Sequence, residues 1–124
     1  MDNMPEIFRN QELLAIDDAK KEIRVCNAFS NRFGLTLSET DIEKLVQGRR
    51  ESLKNSGRIE FGGGIVPKLI YAFCDSPYME QDCYEETLEQ LQEAFYYFKT
   101  ESLDFYTDDE IIDFMVAVFH GRAQ

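Results

Sequence analysis

The chain has no tryptophan and a single histidine, His120. Its three cysteines, Cys26, Cys74 and Cys83, include no C-x-x-C pair. That scarcity excludes a zinc site, which needs closely spaced cysteines or histidines. An odd number of thiols without a pairing pattern predicts reduced cysteines, mostly buried. No apolar run approaches the roughly 20 residues that span a bilayer, so no membrane partner is expected. The opening "MDNMPEIFRN" has neither a basic stretch nor an apolar one behind it, which predicts a cytoplasmic protein without a leader.

Bases are also scarce: 13 Lys and Arg stand against 24 Asp and Glu, a net charge of −11. The imbalance is local. Residues 1–74 carry 11 bases and 11 acids, whereas residues 75–124 carry only Lys99 and Arg122 against 13 acids. An acidic end of this kind repels phosphates, so a nucleic-acid partner is not expected and a charged partner would be basic.

What is present points to one globular domain. The 124 residues are 44% hydrophobic and 30% charged, with ten Phe and six Tyr to fill a core. Helical periodicity dominates. A first helical region runs from about Pro5 to Phe33, with a possible break at Asp17–Asp18. Its apolar face draws on Leu13, Leu14, Ala19, Ile23, Cys26 and Phe33, and Gly34 closes it. A second helix starts at Ser38 or Thr40, each followed three residues on by an acid, and ends at Gly57. Ile42, Leu45, Val46 and Leu53 form its apolar face, while Gly48 inside it costs about 1 kcal/mol against Ala. Close packing on a neighbour would account for that glycine.

A short extended segment is possible near Ile59–Phe61. A third helix spans about Ile65 to Cys74, with Pro67 in its first turn and "DSP" at 75–77 as the stop. The longest pattern places Tyr84, Leu88, Leu91, Phe95 and Phe98 on one stripe, widened by Tyr96 and Tyr97. A last helix follows Thr107, with Ile111, Ile112, Met115, Val118 and Phe119 toward the core and Gly121 at its end. The expected fold is all-α, about five helices in a single domain, with the 84–101 helix as its spine.

Few residues are placed for chemistry. In "RIEFGGGIVPK", residues 58–68, glycines open a helix, where backbone N–H groups can meet an anion. The phosphate fingerprints fail: Gly63 is followed by Gly64 rather than Lys, and Pro67 stands where a third dinucleotide glycine belongs. The surrounding bases keep an anion site in view. Lys44, Arg49, Arg50, Lys54, Arg58 and Lys68 face only Glu51 and Glu60 over that span. The candidate ligand-binding set is therefore Arg49, Arg50, Arg58, Gly62, Gly63, Gly64 and Lys68; the bland alternative is that these bases pair with the acidic end of the same molecule. The gap from Gly57 to Gly64 is too long for a helix-turn-helix, and the helix behind it is too apolar to read bases. Glu85, Glu86, Glu89 and Glu93 have no histidine beside them, so a carboxylate-bridged metal is not expected. The 75–80 segment lacks the glycine of a calcium loop. His120 caps a helix end, and Cys74 has no evident base. No catalytic residue, metal or cofactor is assigned.

The G-R-I-E-F-G-G-G core, the D-S-P-Y turn at 75–78 and the aromatic "FYYFK" at 95–99 resemble a family of short, uncharacterised bacterial proteins, a domain of unknown function. The resemblance implies a bacterial cytoplasmic protein and carries no activity with it. Three functional classes follow. The first is a non-enzymatic protein-contact module, with self-association through opposite charges as one form. The second is a phosphate-metabolite or small-anion protein built on the glycine segment. The third is an acidic mimic of nucleic acid.

Overall fold

A computed structural model describes residues 6–60 and 64–121, with side chains over 13–60 and 64–119. The described residues are mainly helical and contain no strand. The main helices are α1 (Glu6–Val25), α3 (Glu39–Ser56), α4 (Val66–Phe73), α5 (Tyr84–Glu101) and α6 (Asp108–Gly121); a single turn, α2 (Asn27–Ser30), follows α1. Helix α5 is the spine, packing on α3, α4 and α6, while α1 lies against α3.

The capping signals act as expected. Ser38 accepts from the Asp41 N–H and the Asp41 carboxylate accepts from the Ser38 N–H, so Ser38 rather than Thr40 starts α3. Thr107 and Glu110 form the same reciprocal pair ahead of α6. Gly57 closes α3 in the left-handed conformation. Pro67 sits in the first turn of α4. Tyr84, Leu88, Leu91 and Phe95 are buried along α5, with Phe98 partly so and Tyr96 adding to the stripe.

Other expectations need correction. Helix α1 continues through Asp17–Asp18, both of them solvent-facing; after Val25 the helical region carries on through α2 and a 3-10 turn at Asn31–Phe33, and Gly34 closes it in the left-handed conformation, as its position in the sequence implies. The Asn27 side chain ties this region to the 34–38 connector, donating to Leu37 O at 2.9 Å and accepting from Leu37 N at 2.8 Å. The buried side of α1 is Ala19, Ile23 and Cys26, with Ile16 beside them. Leu13 and Leu14 are exposed, and so is Phe33. Tyr97 and Val118 also face solvent, since each sits one step around its helix from the stripe that reaches a neighbour. Residues 58–60 are irregular chain, and Phe61 lies outside the described residues.

Ion pairs Arg24–Glu39 and Lys20–Glu43 join α1 to α3 at one end, running antiparallel. The α3–α5 contact is closer. A Cβ on Gly48 would lie 3.4 Å from Gln92 Nε2 and 3.7 Å from Glu89 Oε1, ordinary contact distances. Nearby, Glu85 is partly buried on α5, one turn from Glu89. Burial first, then Glu89, raises its carboxyl from 4.5 to about 7, with Lys44 opposing and Asp41 adding to the rise.

Two outcomes follow. Gly48→Ala has room for its methyl and gains helix propensity, so it stabilises the fold by about 0.5–1 kcal/mol, read from a denaturant midpoint. The folded state holds a proton on Glu85 that the unfolded chain releases, so the stability present below pH 4.5 is lost as pH rises toward 7. The melting temperature of Glu85→Gln therefore gains on wild type across that window; a constant difference would contradict the raised carboxyl.

Candidate functional site

Arg49 leaves the middle of α3 toward the protein interior, where it is 5% exposed. A buried guanidinium requires partners. Glu60 supplies one, with its Oε1 3.5 Å from Arg49 Nη2. The same oxygen accepts from the Tyr96 hydroxyl of α5 at 2.8 Å. Burial, and then Glu60, push the Tyr96 phenol up from its ordinary value. Gly64 completes the enclosure. Its φ is +60°, and a Cβ there would come within 2.7 Å of Arg49 Cζ. The glycine is required twice over, by its left-handed backbone and by close approach to the guanidinium.

The candidate anion residues divide as follows. Arg49, Arg50 and Arg58 line one cleft between α1 and α3. Gly64 lies against the Arg49 guanidinium and is not part of the lining of that cleft. Lys68 stands apart on α4, paired with Asp109 at 2.9 Å. Gly62 and Gly63 lie outside the described residues. Arg58 turns toward the acidic end: Nη2 is 2.6 Å from Asp104 Oδ1 and 3.3 Å from Thr100 Oγ1. Lys99 pairs with Asp108. Bases of the middle and acids of the end are thus joined within the molecule at Arg58 and Lys68. Within the acidic stretch 80–113, Asp104, Asp108 and Asp109 are thereby paired and Glu85 is partly buried.

Other chemistry is poorly served. Cys26 and Cys74 are buried, and burial raises both thiols above their ordinary range, which disfavours thiolate chemistry. Tyr84 is pushed up to about 12 by burial. No three acidic, histidine or cysteine side chains among the described residues cluster to hold a metal. The His120 side chain lies outside the described residues.

A second surface went unnoticed in the sequence. The turn between α5 and α6 contains Leu103 and Asp104, both with positive φ, at 55° and 61°. Two consecutive non-glycine residues in this region are uncommon and costly. Arg58 holds the turn through Asp104, while Leu103 N and Asp104 N donate to carbonyls of the last turn of α5. Its effect is to present Leu103, 89% exposed, and Phe105, 80% exposed, beside Tyr97, Tyr106 and Phe114. An apolar groove of about 490 Å³ opens there, with Phe98, Ile111 and Phe114 in its walls and Glu101 at its edge. The signal was available as "SLDFYT", an inter-helix segment with neither glycine nor proline and with three large apolar side chains.

The architecture defines a small all-α domain, its central charges paired internally and an aromatic surface at one end. By sequence the chain belongs to DUF6323, a family of unknown function, whose model matches residues 22–124. No curated protein and no solved structure matches the chain. Among the described residues, no helix is long and apolar enough to cross a membrane.

Gly64→Ala tests the enclosure of Arg49. The methyl forces a left-handed alanine and displaces the guanidinium, at a cost of about 2–4 kcal/mol in a denaturant titration. An unchanged midpoint would show that the segment does not depend on Arg49.

Proposed function

We propose that this is a non-enzymatic, cytoplasmic bacterial protein that works by protein–protein contact through the α5–α6 end. The exposed Leu103 and Phe105, held beside the apolar groove by a strained turn, carry this reading. Apolar clusters of this kind, rimmed by charge, are typical of docking surfaces. The turn caps the last carbonyls of α5, but capping does not require Leu103 and Phe105 to be large and apolar in solvent.

The rim selects the occupant. Arg58, Lys68 and Lys99 occupy Asp104, Asp109 and Asp108. Residues 97–118 still carry Glu101, Glu110 and Asp113, with no base left among them to balance those acids. A second copy docking by the same face would oppose these carboxylates to themselves. A helical segment with one apolar face and flanking Lys or Arg satisfies both features.

A labelled Leu/Lys amphipathic peptide tests this by fluorescence anisotropy, with a Leu/Glu peptide of the same apolar face as control. Binding should favour the Leu/Lys peptide and weaken at least about tenfold, about 1.4 kcal/mol, in Leu103→Asn/Phe105→Ser. Asn tolerates the left-handed position, so the turn survives. Equal binding of both peptides, or no effect of the substitutions, contradicts the proposal. A dimer in sedimentation that dissolves in the double variant would replace the foreign partner with a second copy.

A further inference from the structure

The turn between α5 and α6 is held from outside itself. Leu103 N donates to Thr100 O and Asp104 N to Lys99 O, both carbonyls of α5. Those bonds cap the helix and leave two consecutive residues at positive φ, a strained arrangement for side chains other than glycine. Arg58 supplies the link to another part of the fold. Its Nη2 lies 2.6 Å from Asp104 Oδ1 and donates to Thr100 Oγ1 at 3.3 Å, so one guanidinium meets the turn and the helix end it leaves.

Arg58 is itself anchored. Gly57 closes α3 in the left-handed conformation, and Arg58 N donates to Leu53 O at 2.8 Å. The side chain is 16% exposed. Its Nε is buried and has no acceptor among the described residues, so Asp104 and Thr100 are the partners that fix its direction. Root and tip are therefore both held, and the side chain sets the distance from the end of α3 to the turn. It does so away from the apolar groove. Arg58, Lys99, Asp104 and Asp108 line a separate cavity of about 490 Å³, and no residue lines both that cavity and the groove.

We infer that Arg58 is a positioning residue for the docking face and couples that face to the end of α3, without touching the docked segment. With the Arg58–Asp104 pair in place, the turn presents Leu103 and Phe105. Without it, the strained residues relax and the two side chains leave the geometry that docking uses. The inference rests on the protein-contact reading, and concerns what controls that surface rather than what occupies it. Coupling between sites is reciprocal. A segment docked on Leu103 and Phe105 therefore stabilises the turn and tightens the hold on Arg58.

Two measurements on the intact protein separate the turn from the docking: amide hydrogen exchange at Leu103 and Asp104, and affinity for the labelled Leu/Lys peptide. Arg58→Met keeps an apolar stem and removes the charge. It should speed exchange at both amides and weaken the peptide, each at least about tenfold. Asp104→Gly takes up the left-handed backbone unaided, so adding it to Arg58→Met should restore most of the lost affinity. A glycine in the turn would not repair a general loss of fold. Asp104→Asn keeps a residue that tolerates this backbone and weakens only the charge, so it should shift both readouts the same way by a smaller factor; it carries the test if Arg58→Met does not fold. In wild type, saturating peptide should slow exchange at the Arg58 amide. Unchanged exchange at Leu103 and Asp104 in Arg58→Met and Asp104→Asn, or a double variant that binds no more tightly than Arg58→Met, would overturn the inference while wild-type binding leaves the docking reading standing. Wild type that binds no peptide overturns the docking reading instead, and exchange at the two amides still decides whether Arg58 holds the turn.

Discussion

One buried cation organises this protein. Arg49 sits on the inner side of α3, facing a core that offers it little water, so its charge has to be met by the chain itself. The segment after Gly57 meets it. Glu60 arrives as the counter-charge, Tyr96 fixes Glu60 from the spine helix, and Gly64 brings its backbone flat against the guanidinium. Three separate parts of the chain are thereby fastened at one point. The same segment carries Arg58, which reaches on to Asp104 and sets the turn between α5 and α6. A residue in the middle of one helix thus bears, through its neighbours, on the surface at the far end of another.

That chain of contacts also explains the charge layout. A neutral first part and an acidic last part would otherwise leave a strongly one-sided molecule. Folding joins Arg58 to Asp104 and Lys68 to Asp109, while Lys99 within the acidic part takes Asp108. The remainder is two surfaces of opposite character. One is an apolar groove edged by acids at the α5–α6 end; the other is an apolar cleft edged by bases between α1 and α3. Of these pairs, Lys68–Asp109 is exposed on both sides and contributes little to stability. Their consequence lies in which charges are left over to meet another molecule.

Helices whose ends carry side-chain caps and whose stripes are unbroken were legible from residue order alone. Ser38, Gly57, Pro67 and Thr107 mark ends because each acts on backbone within a few residues of itself. The α5 stripe was legible because neighbours cover its apolar side along most of its length. Helix α1 was less so. Leu13 and Leu14 fit the apolar pattern as well as Ala19 and Ile23 do, yet the space beside α3 leaves them in solvent. The candidate anion residues divided for a similar reason. Arg49, Arg50 and Arg58 meet at one cleft because a helix and its following segment fold back together, while Lys68 turns with α4 toward α6.

The sequence by itself determined the helices, their ends, the spine and the excess of acid in the last two-fifths of the chain, since all of these depend on local backbone chemistry or on counting. Tertiary structure alone decided that Gly64 lies against a buried arginine, that Arg58 belongs to the α5–α6 turn, and that Leu103 and Phe105 stand outside the core. Each of those depends on residues 11 to 46 positions apart in the chain coming within a few ångströms. No periodicity or short motif records such a distance. It is set only when helices with several possible neighbours have settled against one.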